Sequence, residues 1–280
     1  MGRGRHYGWL RRWADTIQGP LYGSRWASGV AYSLGLQGRL HVDHRAFTFG
    51  EALGRAPLRV AFVSDLHAGP LTDSRLLEGA IRRIADAAPD LVLLGGDYVS
   101  LHHSEVSELA KHLASLKPRL GILGVFGNHD LWQDDVAIAK ALAAAGVELL
   151  VNEEHRLPEP FAHVVVYGMD EPGTGSPQGP PAALADGDIR IVLMHSPLGL
   201  RYLEGRPFHV AFCGHTHGGQ VALPSGAPLT LPRGSGDRRH ARGGLFTVDG
   251  GQLLVSRGLG MSDVPVRIFA PSEVHLCVIS

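Results

Sequence analysis

Residues 58–67 read LRVAFVSDLH, a short apolar run rich in valine that leads straight into an aspartate and, two positions later, a histidine. A continuous run of this length predicts a strand buried on both faces. The same event then recurs. DLVLLGG (90–96) runs into Asp97, and RLGILGVFG (119–127) runs into Asn128, His129 and Asp130. Between these strands, residues 73–88 carry Leu76, Leu77, Ala80, Ile81 and Ile84 at helical spacing, with Asp73 placed to cap them. Residues 104–116 and 134–146 predict two further helices, the second closed by Gly146 at the C′ position. Strand alternating with helix predicts a parallel sheet with right-handed crossovers.

After GVELLVNEE (146–154) the character changes. Strands are expected near 163–168, 189–194, 208–213, 244–248, 252–256 and 274–279, joined mainly by loops rich in Gly and Pro such as EPGTGSPQGPP (171–181). That pattern predicts a second sheet facing the first within one domain. Here too strands end on donors: IRIVLM (189–194) meets His195, and FHVAFC (208–213) meets Gly214, His215, Thr216 and His217.

In α/β sheets ligand sites form at the carboxyl ends of the strands. A polar residue after one strand is simply where a loop begins. Five strands that all end on metal-compatible side chains are hard to assign to chance. Asp65, His67, Asp97, Asn128, His195, His215 and His217 make two aspartates, one asparagine and four histidines. Imidazole, carboxylate and amide oxygen suit borderline and hard divalent ions such as Zn, Fe, Mn, Co or Ni, and the absence of thiolate argues against a soft-metal or iron–sulfur site. Seven donors exceed what one ion needs. If one carboxylate bridges, they become four ligand bonds to each of two ions, and Asp97, preceded by two glycines, is the natural bridge. In GHTHGGQ (214–220) the single residue between His215 and His217 sends both rings to one side of an extended strand end, one for each ion.

The strings SDLHAGPLT, GGDYV, GNHD, MHSP and GHTHGGQ occur in this order and resemble the signature of the calcineurin-like metallophosphoesterases. The longer forms GHTHGGQVALP and VSRGLGMSDVPVR resemble a bacterial branch that includes membrane-associated phosphodiesterases, among them UDP-2,3-diacylglucosamine pyrophosphatases. The resemblance covers about residues 58–280 and implies a four-layer α/β/β/α sandwich of two facing mixed sheets. It implies that Asp65, His67, Asp97 and His217 hold one ion and Asp97, Asn128, His195 and His215 the other, with manganese the ion expected in vitro. His129 would face the substrate as general acid, oriented by Asp130. A water shared by both ions would be the nucleophile in an in-line displacement at phosphorus.

The net charge of −1 hides an asymmetry. Residues 1–39 hold six arginines against one acid, Asp15, for +5, which leaves −6 on the remainder. Residues 1–57 form a basic, aromatic arm and lead-in strand, ahead of a phosphoesterase domain over 58–280. Within the arm Trp9, Trp13 and Ile17 fall at i, i+4, i+8. Together with the arginines, this spacing fits either a short helix packed on the domain or peripheral membrane contact through residues 1–39. The basic loop LPRGSGDRRHARGG (231–244) offers Arg233, Arg238, Arg239 and Arg242 to a second phosphate or a headgroup, and His102 and His103 stand just past Asp97. The expected substrate is a phosphodiester or pyrophosphate, lipid- or nucleotide-linked. A nuclease or cyclic-nucleotide phosphodiesterase is the alternative, although an acidic body argues against nucleic acid. A protein phosphatase and an inactive scaffold are weaker readings. Cys213 and Cys277 are too few for a disulfide framework, and no apolar stretch is long enough to cross a bilayer. The expected location is the cytoplasm, at the inner face of the membrane.

Overall fold

A computed structural model describes residues 16–17, 20–49 and 56–280. Trp9 and Trp13, and so the helical spacing expected there, lie outside the described residues. The first sheet takes strands β1 (His41–Phe47), β2 (Leu58–Val63), β3 (Leu91–Leu94), β4 (Ile122–Gly124), β5 (Val147–Leu149) and β12 (Glu273–Ile279), in the order β1-β12-β2-β3-β4-β5. The second takes β6 (Glu153–Arg156), β7 (Val164–Gly168), β8 (Ile189–Leu193), β9 (Val210–Cys213), β10 (Gly244–Val248) and β11 (Gly251–Val255), in the order β10-β11-β9-β8-β7-β6. Both sheets are mixed. β2, β3, β4 and β5 run parallel and β12 antiparallel to β2, while β7, β8, β9 and β11 run parallel with antiparallel edges β6 and β10.

Period-2 alternation sorts the strand residues into layers. Val60 and Phe62 of β2, with Leu91 and Leu93 of β3, face the second sheet, where Ile191 and Leu193 of β8 and Phe212 of β9 meet them. Their neighbours Ala61, Val63, Val92 and Leu94 point the other way. There they pack on helices α2 (Ser74–Ala87), α3 (Val106–Ser115) and α5 (Asp135–Ala144) through Leu77, Ile84, Leu109, Leu113 and Leu142. The outer face of the second sheet, with Tyr167, Val192, Ala211 and Val255, is covered by the 3-10 segment Pro197–Tyr202 and by loops, through Leu200 and Leu203. Truncating a fully buried residue such as Phe62 or Leu93 would cost about 3–5 kcal/mol in lost burial and residual cavity.

Local signals worked where they were strong. Asp73 caps α2 by accepting from the Arg75 amide, and Gly146 closes α5 with φ +85°. Both cysteines are free and buried. Two elements of the lead-in were not specified in advance: helix α1 (Trp26–Ser33), and the extent of β1, which pairs in parallel with β12 at the edge of the first sheet.

One buried polar chain ties this edge strand down. His275 of β12 lies opposite Asp43 of β1, with Nδ1 3.1 Å from Asp43 Oδ2 and Nε2 3.4 Å from Glu273 Oε2. Arg45 sits on Asp43, and Arg257 sits on Glu273. Burial pushes the His275 pKa down, but hydrogen bonds to Asp43 and Glu273 outweigh it and the net shift is upward. A raised folded-state pKa contributes stability that is complete below the unfolded value of about 6.5. That contribution is lost as pH rises through the folded value. Removing one partner from a buried ion pair costs about 3–5 kcal/mol. We therefore expect H275A to lose about that much at pH 6, and to show a smaller further loss between pH 6 and pH 9 than the wild type. Urea unfolding with chelator present measures this, and equal pH slopes would refute it.

Candidate metal centre

Every donor anticipated from the sequence stands where a strand ends. β2 leads into Asp65 and His67, β3 into Asp97, β8 into His195, and β9 into His215 and His217. β4 leads through Gly127 into Asn128 at the start of the short helix α4 (Asn128–Trp132). An unbroken series of contacts joins all seven side chains. Asp65 Oδ1 is 3.5 Å from His217 Nε2, which is 3.1 Å from His67 Nε2. His67 Nε2 is 3.6 Å, and His195 Nε2 3.3 Å, from the same oxygen, Asp97 Oδ2. His195 Nε2 is also 3.1 Å from Asn128 Oδ1 and 3.1 Å from His215 Nδ1. The other oxygen, Asp97 Oδ1, accepts from the His129 amide at 2.8 Å. Asp97 thus presents one oxygen between two sets of donors: Asp65, His67 and His217 on one side, His195 and His215 on the other.

The local backbone is bent to achieve this. Asp65, His67, Asp97, His215 and His217 all have φ between 43° and 68°. Side chains other than glycine rarely adopt this left-handed region, and such strain clusters at functional sites. It is held by loop-to-loop hydrogen bonds: Asp65 N to Gly96 O at 2.9 Å, His67 N to Asp97 O at 2.9 Å, and Gly214 N to His195 O at 2.8 Å. Two glycines make the room. A Cβ at Gly127 would overlap Asp97 Oδ1, and one at Gly214 would overlap Asp65 Oδ2.

Backbone carbonyls set the imidazoles. His195 Nδ1 donates to Gly95 O at 2.8 Å, and His215 Nε2 to Arg233 O at 2.8 Å. Each ring therefore turns its other nitrogen into the cluster, which is the arrangement expected of metal-ligating histidines. His217 differs, since its outer nitrogen Nδ1 faces Arg267 Nη2 at 3.2 Å. Nitrogens facing each other across 3.1 Å need a shared cation or a proton between them. The donor spacings fit ligands about 2.0–2.2 Å from an ion. The electrostatics agree. Burial raises Asp65, and although burial also opposes ionisation of Asp97, His195 and His129 draw its pKa well below the usual carboxylate range. Burial disfavours a charged His195, yet Asp97 overrides it and pushes the imidazole up to about 10. Burial keeps His215 and His217 low and neutral. The site attracts positive charge, and His215 and His217 offer neutral imidazoles, so the residues fit divalent cations.

His129 and Asp130 part company. A ring nitrogen of His129 lies within 4.8 Å of ligand atoms of His67 and Asp97, while its Nδ1 is 3.0 Å from the Ser100 carbonyl. The Asp130 carboxylate instead accepts from the amides of Gly127 at 2.9 Å, Asp97 at 2.9 Å and Tyr98 at 2.8 Å. The reason is geometric: adjacent helical positions do not face each other. Burial and the charge of Asp97 push Asp130 up to about 8. Among the candidate substrate residues, Arg233, Arg238 and Arg239 are exposed, and Arg239 is paired with Asp237 at 2.7 Å. Their loop is pinned to the centre through the Arg233 carbonyl on His215 and the Gly234 carbonyl on Ser196. His102 is exposed and caps a 3-10 turn, with its ring 4.2 Å from that of His103. Arg267 was not anticipated. It is buried, pushed down to about 10 by burial, and bonded to the carbonyls of His217, Ala270 and Gly260. Its only sequence signal was the string VSRGLGMSDVPVR, and nothing there reveals a contact with His217.

A two-sheet sandwich whose strand ends converge on a carboxylate–histidine cluster is the architecture of a metal-dependent phosphoesterase. Residues 58–219 match the calcineurin-like phosphoesterase family, and the chain belongs to that family. It is 31% identical over 227 residues to the phosphodiesterase YaeI of Escherichia coli (strain K12), covering 78% of this chain and 80% of that protein. It is 27% identical to the metallophosphoesterase YkuE of Bacillus subtilis (strain 168) over 225 residues, 77% of each chain. It is 29% identical over 234 residues to a transmembrane protein with metallophosphoesterase domain from Danio rerio, covering 78% of this chain and 52% of that one. The chain is therefore a metallophosphoesterase, a hydrolase.

Asp130 offers a test of how the Asp97 loop is held. Replacing it with alanine strands the amides of Gly127, Asp97, Tyr98 and Val99, a lost partner costing about 1–3 kcal/mol for each buried group. We expect D130A to lose at least 3 kcal/mol of stability without metal and to bind Mn²⁺ more weakly, with D130N in between. Urea unfolding and titration calorimetry check this, and a D130A protein within about 1 kcal/mol of wild type would contradict it.

Proposed function

We propose that this chain hydrolyses a phosphodiester or pyrophosphate bond at a two-metal centre, with a lipid- or nucleotide-linked substrate such as UDP-2,3-diacylglucosamine. The observation that carries the reading is Asp97 Oδ2, 3.6 Å from His67 and 3.3 Å from His195, a single oxygen between two donor sets. Asp65, His67, Asp97 and His217 would hold one divalent ion, and Asp97, Asn128, His195 and His215 the other. Bound there, two divalent ions, manganese among the candidates, supply activation of water near neutral pH and neutralisation of charge at phosphorus.

The protein's own groups do the rest. His129, fixed through Nδ1 on the Ser100 carbonyl, holds a proton at Nε2 for the leaving oxygen. Trp132, whose ring lies 5.0 Å from that of His129, limits how far the imidazole can swing. The amide clamp of Asp130 holds the Asp97 loop. Arg233 and Arg238, on the loop pinned to His215, offer charge to a second phosphate of the substrate, and Arg239 does so less because Asp237 already neutralises it. The phosphodiesterase name of the Escherichia coli relative supports a diester over a monoester, and the Danio rerio relative, by its name a transmembrane protein, supports a membrane setting.

Turnover of bis-p-nitrophenyl phosphate with added Mn²⁺, and its loss on chelation, tests the reading alongside metal analysis of the purified protein. H129A should retain its metals and lose about 10²–10⁴-fold in kcat. D97A should lose both metal and activity. An H129A protein that folds but is stripped of metal would remove His129 from this role, and no turnover with any divalent ion would remove the proposal.

A further inference from the structure

Surface helices turn their polar side outward. Helix α1 does the reverse. Ala27, Ser28 and Ala31 are buried, whereas Trp26, Val30 and Leu34, at i, i+4 and i+8, are 56%, 51% and 68% exposed. Two other segments extend this surface. The Arg267 amide donates to Leu36 O at 2.7 Å and Gln37 Nε2 to Pro265 O at 3.2 Å, which seats residues 264–269 against the end of α1. Ile268 N donates to Gln220 O at 3.0 Å and Ala222 N to Ile268 O at 2.9 Å, which joins the turn 221–229 to the same edge. Val264, Ile268 and Phe269 are exposed on the first of these segments, and Leu223 and Leu229 on the second. Apart from these segments and the neighbouring Ile17, Leu21 and Leu36, the large exposed apolar side chains among the described residues are Val136, Leu245 and Val278, far apart in the sequence.

Exposed apolar side chains gathered on three hydrogen-bonded segments mark an interaction site. Its charge indicates the partner. Arg25 and Arg39 flank α1 in sequence and are exposed, Arg25 paired with Glu108 at 3.1 Å, and residues 1–39 carry six arginines against one acid. Apolar side chains including an exposed tryptophan, on a chain whose first 39 residues are rich in arginine, match a surface with an apolar interior and anionic headgroups. The position matters too. Segment 264–269 carries Arg267, which touches His217, and Gln220, three residues past His217, donates to Val264 O at 2.6 Å. We propose that α1, the turn 221–229 and segment 264–269 form a face that docks on the surface of an anionic bilayer and brings the metal centre to a lipid-linked phosphoester. This deepens the reading of a lipid-linked substrate, and its test needs no lipid turnover.

The test is co-sedimentation of the full chain with phosphatidylglycerol–phosphatidylcholine vesicles and with pure phosphatidylcholine vesicles. The wild type should bind the anionic vesicles at least tenfold better, and less tightly at high salt. The double variant L34E/F269E should lose at least tenfold in binding while keeping its turnover of soluble bis-p-nitrophenyl phosphate. V136E, on another surface, should bind as the wild type does. Equal binding by the wild type and L34E/F269E would overturn the proposal, as would no binding by the wild type. So would a wild-type dimer that L34E/F269E dissociates, because a second copy would then cover the face. Intact turnover with failed vesicle binding removes the docking face alone, whereas failed turnover bears on the metal chemistry.

Discussion

One oxygen of Asp97 organises this protein. A buried carboxylate surrounded by imidazoles is costly unless positive charge accompanies it. The arrangement around Asp97 spends stability to keep that charge in place. Five donor residues accept left-handed backbone, glycines give up side chains to make room for Asp97 and Asp65, and Asp130 is committed to fixing backbone amides. None of these features serves packing. Each makes sense as preparation for cations that the apo cluster can replace only with protons.

The sandwich explains how such distant residues meet. β2, β3 and β4 run parallel in one sheet, and β8 and β9 run parallel in the other, so all five deliver their carboxyl ends to the same edge. Asp65, His67, Asp97 and Asn128 come from the first sheet, while His195, His215 and His217 come from the second. The distance between the two groups is therefore set by the layer of Phe62, Leu93, Ile191 and Phe212 that separates the sheets. Inter-sheet packing is thus also a determinant of site geometry. A cavity opened there would loosen the spacing between Asp97 and His195 as well as lower stability.

Much of this was legible in the sequence, for a physical reason. Strands buried on both faces give unbroken apolar runs, and the residues that end them are named directly by the chain. The central strands could therefore be read off, the seven expected donors lie together at their ends, and the family match supports the assignment of the chain to this chemistry. β1 was harder to read because HVDHRAF lies at a sheet edge, half exposed, and its polar residues are satisfied by β12, more than two hundred positions away. The carbonyls of Gly95, Ser100 and Arg233 that orient the imidazoles have no side-chain signature at all. The amide contacts of Asp130 likewise have no signature in the sequence, because they run to backbone more than thirty positions away as well as to Gly127.

Arg267 joins the two halves of the account. A guanidinium beside a cation site looks counterproductive, yet its hydrogen bonds run to the carbonyls of His217, Ala270 and Gly260, and its charge helps keep the neighbouring imidazole low and unprotonated. A neutral His217 is what a metal ligand must be. The same arginine belongs to the segment that exposes Ile268 and Phe269 to solvent, while its amide holds Leu36 at the end of α1. The segment that exposes Ile268 and Phe269 is therefore hydrogen-bonded to the loop that carries His217, so the position of the one bears on the position of the other.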